Sequence, residues 1–225
     1  MNGFPRTNDS RMRGRGWRLL VCALLLGATV PVYAAGGILV FGDSLSAAYG
    51  IDRSAGWVAL LRERLAAADA SLAVHNASVS GETTAGGRER LPEALARTEP
   101  DIVVLELGAN DGLRALSLEA MQANLAAMIE ASREAGAEVL LLGMRIPTNY
   151  GRDYGERFHA SFETLAERHD VAYVPFFLAP IARDRSAFQD DGVHPDAAAQ
   201  PALLEHVWPA LEPLVTKVRQ TSAAR

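Results

Sequence analysis

Five short apolar runs, separated by longer stretches with helical spacing, constrain this chain more than any other feature. The runs are Ile38–Phe41, Leu72–Ala77, Ile102–Leu107, Val139–Leu142 and Val171–Phe176. Each has the length of a buried strand and is too short for a core helix. Trp57, Leu60, Leu61, Leu65 and Ala68 predict a helix over 57–69. Met121, Leu125, Met128 and Ile129 predict another, closed by Gly136 as a C-terminal glycine. Phe158, Phe162 and Leu165 mark a further one, and a last helix begins near Asp196. A polar loop over 76–84 also enters a helix. Strands separated by helices need crossover connections, hence a parallel sheet covered on both faces. Right-handed crossovers then give an α/β three-layer sandwich, doubly wound, with a mainly five-stranded parallel sheet. No repeat or linker divides residues 35–225, so one domain is expected. Strand order is not written in any local pattern.

Charge narrows the partners. The formal net charge is −5, and the first 34 residues hold five Arg against one Asp, so residues 35–225 carry −9. An acidic body argues against nucleic acid and against a polybasic membrane patch. Residues 1–34 read as a cleavable signal peptide. Arg6 to Arg18 supply a basic segment, 19–30 an apolar core of 12 residues, and Val32-Tyr33-Ala34 the small residues before cleavage. An uncleaved anchor is the alternative, but spanning a bilayer takes about 20 apolar residues. The expected destination is periplasmic or secreted, with no integral membrane anchor after cleavage. The single cysteine, Cys22, lies inside the signal. Thiol nucleophiles, disulfides and cysteine metal sites are thereby excluded from the mature chain.

In a parallel sheet the loops after each strand gather at one edge, where open α/β sheets place their chemistry. Four loops expected there are rich in polar groups: Gly42-Asp43-Ser44, Ser80-Gly81-Glu82, Gly108-Ala109-Asn110-Asp111 and Asp190-Asp191-Gly192-Val193-His194-Pro195. Serine hydrolysis needs a hydroxyl, a base, a carboxylate that orients the base, and N–H donors for an oxyanion. Ser44 is the hydroxyl, although a serine at a strand exit also reads as a helix N-cap. His194 is the best base, held out of helix by Pro195. Asp191 lies three residues earlier and can accept from one ring nitrogen, with Asp190 as a competitor. Gly81 can bring a backbone N–H close to a ligand, and Asn110 offers an amide. Asp43 reads as a turn stabiliser, since Asx side chains bond local backbone.

These four blocks resemble the SGNH, or GDSL-type, hydrolases, whose fold is flavodoxin-like. The resemblance sets Ser44 as nucleophile, Ser44, Gly81 and Asn110 as oxyanion donors, and Asp191 with His194 as acid and base. It extends to the subfamily of bacterial multifunctional acyl-CoA thioesterase I, lysophospholipase and arylesterase. The stretches that carry it are NASVSGETTAGGRER, LELGANDG, LLGMRIPTNY and DGVHPDAAAQPAL. One departure is Ala48, where relatives often have glycine. The resemblance implies a serine esterase acting on fatty acyl esters, thioesters or lysophospholipids without a cofactor; with the signal peptide, a secreted or periplasmic enzyme is expected, and a monomer. It also makes Met144, Ile146, Pro147 and Tyr150 a substrate-binding loop, where composition alone reads 144–155 as a surface loop.

Two other functions share parts of this pattern. A carbohydrate O-acetylesterase of the same fold would prefer acetyl over longer acyl groups. A non-catalytic binding module would lack catalytic groups, and none is lacking. No Gly-x-Ser-x-Gly elbow and no phosphate-loop lysine occurs. His75, His159, His169 and His206 read as surface or helix residues, and no metal site is expected.

Overall fold

The computed structural model describes residues 36–68 and 72–223. The expected signal peptide, Cys22 and the end of the first helix at Asp69 lie outside the described residues. Five strands, β1 (Ile38–Gly42), β2 (Val74–Asn76), β3 (Ile102–Glu106), β4 (Glu138–Leu142) and β5 (Ala172–Val174), form one all-parallel sheet in the order β2-β1-β3-β4-β5. The helices are α1 (Trp57–Ala67), α2 (Thr84–Thr98), α3 (Ala109–Leu113), α4 (Leu118–Glu134), α5 (Arg152–His169) and α6 (Gln200–Ala223). On one face α1 packs against α6; on the other, α2, α4 and α5 lie side by side. Ile38–Phe41 and Ile102–Leu105 are wholly buried. Each such side chain contributes roughly 1.5–3 kcal/mol relative to exposure, and this explains why the central strands are unbroken apolar runs.

The order 2-1-3-4-5 sets the position of the site. The chain leaves β1 toward β2 on one side, then crosses to β3 on the other. Connections from β1 and β3 therefore diverge and leave a crevice at their C-terminal ends. Ser44 follows β1 and Asn110 follows β3.

Several elements differ from expectation. The last helix begins at Gln200, because the Asp196 carboxylate caps the intervening turn by accepting from Ala199 N at 2.8 Å. Helix α5 begins at Arg152 and takes residues from the segment expected to be loop. Residues Ala109–Leu113, expected only to stop a strand, form α3. His75, expected on a surface or helix, is buried in β2.

Glu106 ends β3 with no solvent exposure. Its Oε2 accepts from Ser46 Oγ at 2.7 Å and from Asp43 N at 3.3 Å, and Ser46 Oγ accepts from Trp57 Nε1 at 3.3 Å. A Cβ on Gly42 would lie 2.6 Å from Glu106 Oε2, so only glycine lets β1 pass this carboxyl. Burial first, then the neighbouring Asp43 charge, pushes Glu106 well above the carboxylate range. Its other oxygen, Oε1, has no hydrogen-bond partner. An ionised group would leave charge there uncompensated, so burial and the unpartnered oxygen both favour the neutral acid.

Two variants check this. Glu106→Gln keeps the acceptor and is neutral, so unfolding free energy changes by less than about 1 kcal/mol. Glu106→Ala removes the acceptor and leaves a cavity, at a cost of roughly 2–4 kcal/mol by denaturant titration. The sign with pH follows. From about pH 4 upward the unfolded chain releases a proton that the folded chain retains, so Glu106 makes the protein lose stability as pH rises. Glu106→Gln removes that slope. Equal losses in both variants would mean that the ionised carboxylate is required.

Candidate active site

The turn that carries Ser44 leaves β1 as a string of tight turns over 44–50, with no helix until a single 3-10 turn at Arg53–Ala55 and α1 beyond it. The N-cap reading of Ser44 is therefore corrected. The side chain that stabilises the turn is Asp43, fully buried, which accepts from Leu45 N at 3.0 Å through one oxygen. Its other oxygen accepts from Asn110 Nδ2 at 2.9 Å. That bond fixes the Asn110 amide across the crevice and leaves its second N–H available. Burial raises the Asp43 pKa against the hydrogen bonds from Leu45 and Asn110, which lower it.

His194 comes from the opposite end of the chain, on a loop without regular structure. A bridge between Phe188 and Pro195 and a bond from Gln189 N to His194 O at 2.8 Å close this loop on itself. Nε2 of His194 lies 2.9 Å from Ser44 Oγ, and Nδ1 lies 2.6 Å from Asp191 Oδ2. The other Asp191 oxygen accepts from Val193 N at 2.9 Å and His194 N at 3.0 Å. The backbone and side-chain bonds from His194, then Val193 N, hold the Asp191 pKa down at about 2. An ionised Asp191 places the proton of a neutral imidazole on Nδ1 and leaves Nε2 free to accept from the serine hydroxyl. Asp191, and not Asp190, meets His194.

Gly81 lies on an exposed loop with φ +78°, a conformation that favours glycine. Its carbonyl accepts from Arg114 Nη2 at 2.9 Å, which ties the loop after β2 to the segment after α3. Asp111 is structural: its two oxygens accept from Thr84 N at 2.8 Å and Thr84 Oγ1 at 2.6 Å.

A cavity of about 480 Å³ opens beside Ser44, Asn110 and His194, a size typical of small-ligand sites. Met144, Ile146 and Pro147 line it, together with Leu113, Phe188 and Val193. Tyr150 does not line it; its hydroxyl donates to Leu113 O at 2.8 Å and props the wall from behind. Gly81 lies outside the lining as well. Sequence reasoning missed three residues: Glu106, Arg145 at the cavity wall, and Tyr49. The Tyr49 ring lies 4.5 Å from the His194 imidazole, tilted by 41°. An acidic residue at the end of an apolar strand was the available signal for Glu106. Nothing local marks Tyr49. Among the described residues, no three His, Asp or Glu side chains are grouped to hold a metal ion.

Ala48 adopts φ +59°. The left-handed region costs a non-glycine residue about 1–2 kcal/mol, against about 0.5–1 kcal/mol of entropy for glycine. Ala48→Gly is therefore expected to stabilise the fold by about 0.5–1 kcal/mol in denaturant melts. A loss of stability would show that the methyl packs usefully.

Residues 40–201 match the model of the GDSL-like lipase/acylhydrolase family. The chain is similar to esterase TesA of Pseudomonas aeruginosa, 51% identical over 197 residues that cover 88% of this chain and 98% of that protein. A crystal structure of TesA superposes with a TM-score of 0.77, over 79% of this chain and 99% of that one. Thioesterase 1/protease 1/lysophospholipase L1 of Escherichia coli is 40% identical over 199 residues, 88% of this chain and 94% of that protein. The psychrotrophic esterase EstA from Pseudoalteromonas sp., solved inhibited by monoethylphosphonate, is 38% identical with a TM-score of 0.77, covering 81% of this chain and all of that one. With this family match and these relatives at 38–51% identity over most of their length, the chain belongs to the GDSL-like lipase/acylhydrolase family and is an ester-bond hydrolase.

Proposed function

We propose that the chain is an exported, monomeric serine esterase that cleaves fatty acyl esters and thioesters, lysophospholipids among them, through an acyl-enzyme. The observation that carries this is the hydrogen-bonded line Asp191–His194–Ser44 at the mouth of an apolar cavity. The relatives named esterase, thioesterase and lysophospholipase agree with it. Export rests on the signal-like residues 1–34. Acyl-CoA is scarce outside the cytoplasm, so lipids or other esters are the substrates an exported chain meets.

The Asp191–His194–Ser44 distances support the following chemistry. His194 Nε2 takes the Ser44 proton as Oγ attacks the acyl carbonyl, while Asp191 stabilises the imidazolium through Nδ1–H. Negative charge on the carbonyl oxygen is received by the Ser44 N–H, the Gly81 N–H and the free N–H of Asn110. His194 then protonates the leaving alcohol or thiol, and water attacks the acyl-serine by the same route in reverse. The acyl chain lies along Met144, Ile146 and Pro147.

Ser44→Ala and His194→Ala are each expected to lower kcat/KM on an aryl ester by more than about 10³-fold with the fold intact by circular dichroism. Asp191→Asn is expected to cost about 10³–10⁴-fold, because the imidazole loses its required tautomer, and Asp190→Asn less than about threefold. Near-normal turnover in Ser44→Ala would end the serine-esterase reading. An Asp190→Asn loss greater than that of Asp191→Asn would reassign the acid.

Chain length tests the cavity. On acyl esters from C2 to C16, turnover is expected to favour medium or long chains over acetyl. Ile146→Trp fills the cavity beside Gly112 and should cut long-chain kcat/KM about tenfold more than that for C4. A sharp acetyl preference would favour the carbohydrate O-acetylesterase. An unchanged profile in Ile146→Trp would remove the 144–150 segment from specificity.

A further inference from the structure

Among the described residues, the large hydrophobic side chains left exposed are Tyr49, Val79, Leu116 and Val193, each 44–51% accessible. Single exposed hydrophobes scattered over a surface need no explanation. These four are not scattered. Tyr49 is on the loop after β1, Val79 after β2, Leu116 after α3 and Val193 beside His194. All four connections follow the C-terminal ends of strands; Val193 lines the acyl cavity and Tyr49 lies against His194 beside it.

The loops that carry them are lashed to one another. Gln189 Nε2 donates to Tyr49 O at 2.8 Å, joining the Val193 loop to the Tyr49 loop. Asn76 Nδ2 donates to Ser46 O at 2.7 Å and Val79 N to Gly42 O at 3.0 Å, joining the Tyr49 loop to the Val79 loop. Arg114 donates to Gly81 O at 2.9 Å, joining the Val79 loop to the Leu116 segment. The apolar tips therefore stand on a preformed rim.

We infer that this rim is a docking surface for aggregated zwitterionic amphiphile, seating the enzyme on a lipid surface from which single acyl chains pass into the cavity. A cover of any other kind would shut the substrate entrance, whereas a lipid aggregate covers the rim and delivers substrate through it. Clustered apolar tips around a cleft are the form that such contacts take. Charge selects the kind of lipid. Residues 35–225 carry −9, and Asp190 and Asp191 are exposed at the rim, so an anionic surface is repelled. Arg145 at the cavity wall and Arg114 at the rim offer cations to the phosphate of a zwitterionic headgroup. This inference rests on the esterase reading above.

The test compares the full mature chain with a Val79→Ser/Leu116→Ser variant, both positions lying outside the proposed catalytic groups. Hydrolysis of lysophosphatidylcholine is followed across its critical micelle concentration, beside a water-soluble aryl butyrate. Flotation with phosphatidylcholine vesicles, and with vesicles enriched in phosphatidylglycerol, is measured on the Ser44→Ala chain with and without the two substitutions. The rate is expected to rise at least about fivefold at micelle formation, and the double variant to lose most of that rise while butyrate turnover stays within about twofold. Flotation is expected with phosphatidylcholine, to weaken with phosphatidylglycerol and to fall in the substituted chain. No flotation of the unsubstituted chain, or equal behaviour of the two chains toward micelles and vesicles, would overturn the surface while leaving the esterase reading intact. Failure to hydrolyse either substrate would sink the esterase reading, and flotation would still report on the rim.

Discussion

A carboxyl group sealed from water holds the chemical edge of this protein together. Glu106 sits at the last position of the central strand and receives hydrogen bonds from Ser46 and Asp43, both in the turn that carries Ser44. The turn has no helix behind it, so its geometry depends on these bonds and on the Asp43–Leu45 contact. Asp43 passes the constraint on to Asn110. A polar group buried without partners costs more than a bonded one gains. The network therefore works by penalty: any displacement of the turn strands a carboxyl or a hydroxyl in the core.

The acids at this edge fall into two kinds, made so by environment. Asp43 and Glu106 are shut in by the sheet and shifted upward. Asp191 is largely exposed, yet three N–H donors from its own loop hold it at about 2. Burial suits groups whose task is to fix geometry. Hydrogen bonding at the surface suits a group that must stay charged beside an imidazole.

The strands and long helices were legible because their periods are strong: Ile102–Leu105 and the Met121–Ile129 spacing leave little choice. Ser44, Asp191 and His194 were legible as residue types on adjacent loops, and the structure brings them within hydrogen-bond range. Strand order was not legible, since it arises from packing between distant segments. Glu106 passed unremarked inside the run Ile102–Leu107, because nothing nearby in sequence reveals that Ser46, 60 residues earlier, will bond it. Residues Ala109–Leu113 read as a turn because Gly, Asn and Asp favour turns; the helix they form is held from outside by Thr84 on Asp111. Tyr150 lies on the expected wall but turns its hydroxyl to Leu113, a choice made by a partner 37 residues away.

The placement of His194 has a consequence for the order of events in the life of the chain. Ser44 and its supporting acids lie in the first half of the described fold, whereas the imidazole arrives 150 residues after the serine. Its loop has no strand or helix of its own and is steadied by Phe188, Gln189 and Pro195 just before α6. A chain that ends before residue 188 carries the Ser44 turn and, on the proposed mechanism, no base. On the proposed mechanism, catalytic competence is a certificate of completeness: it is issued only when the segment that carries His194 has been made and docked beside Ser44.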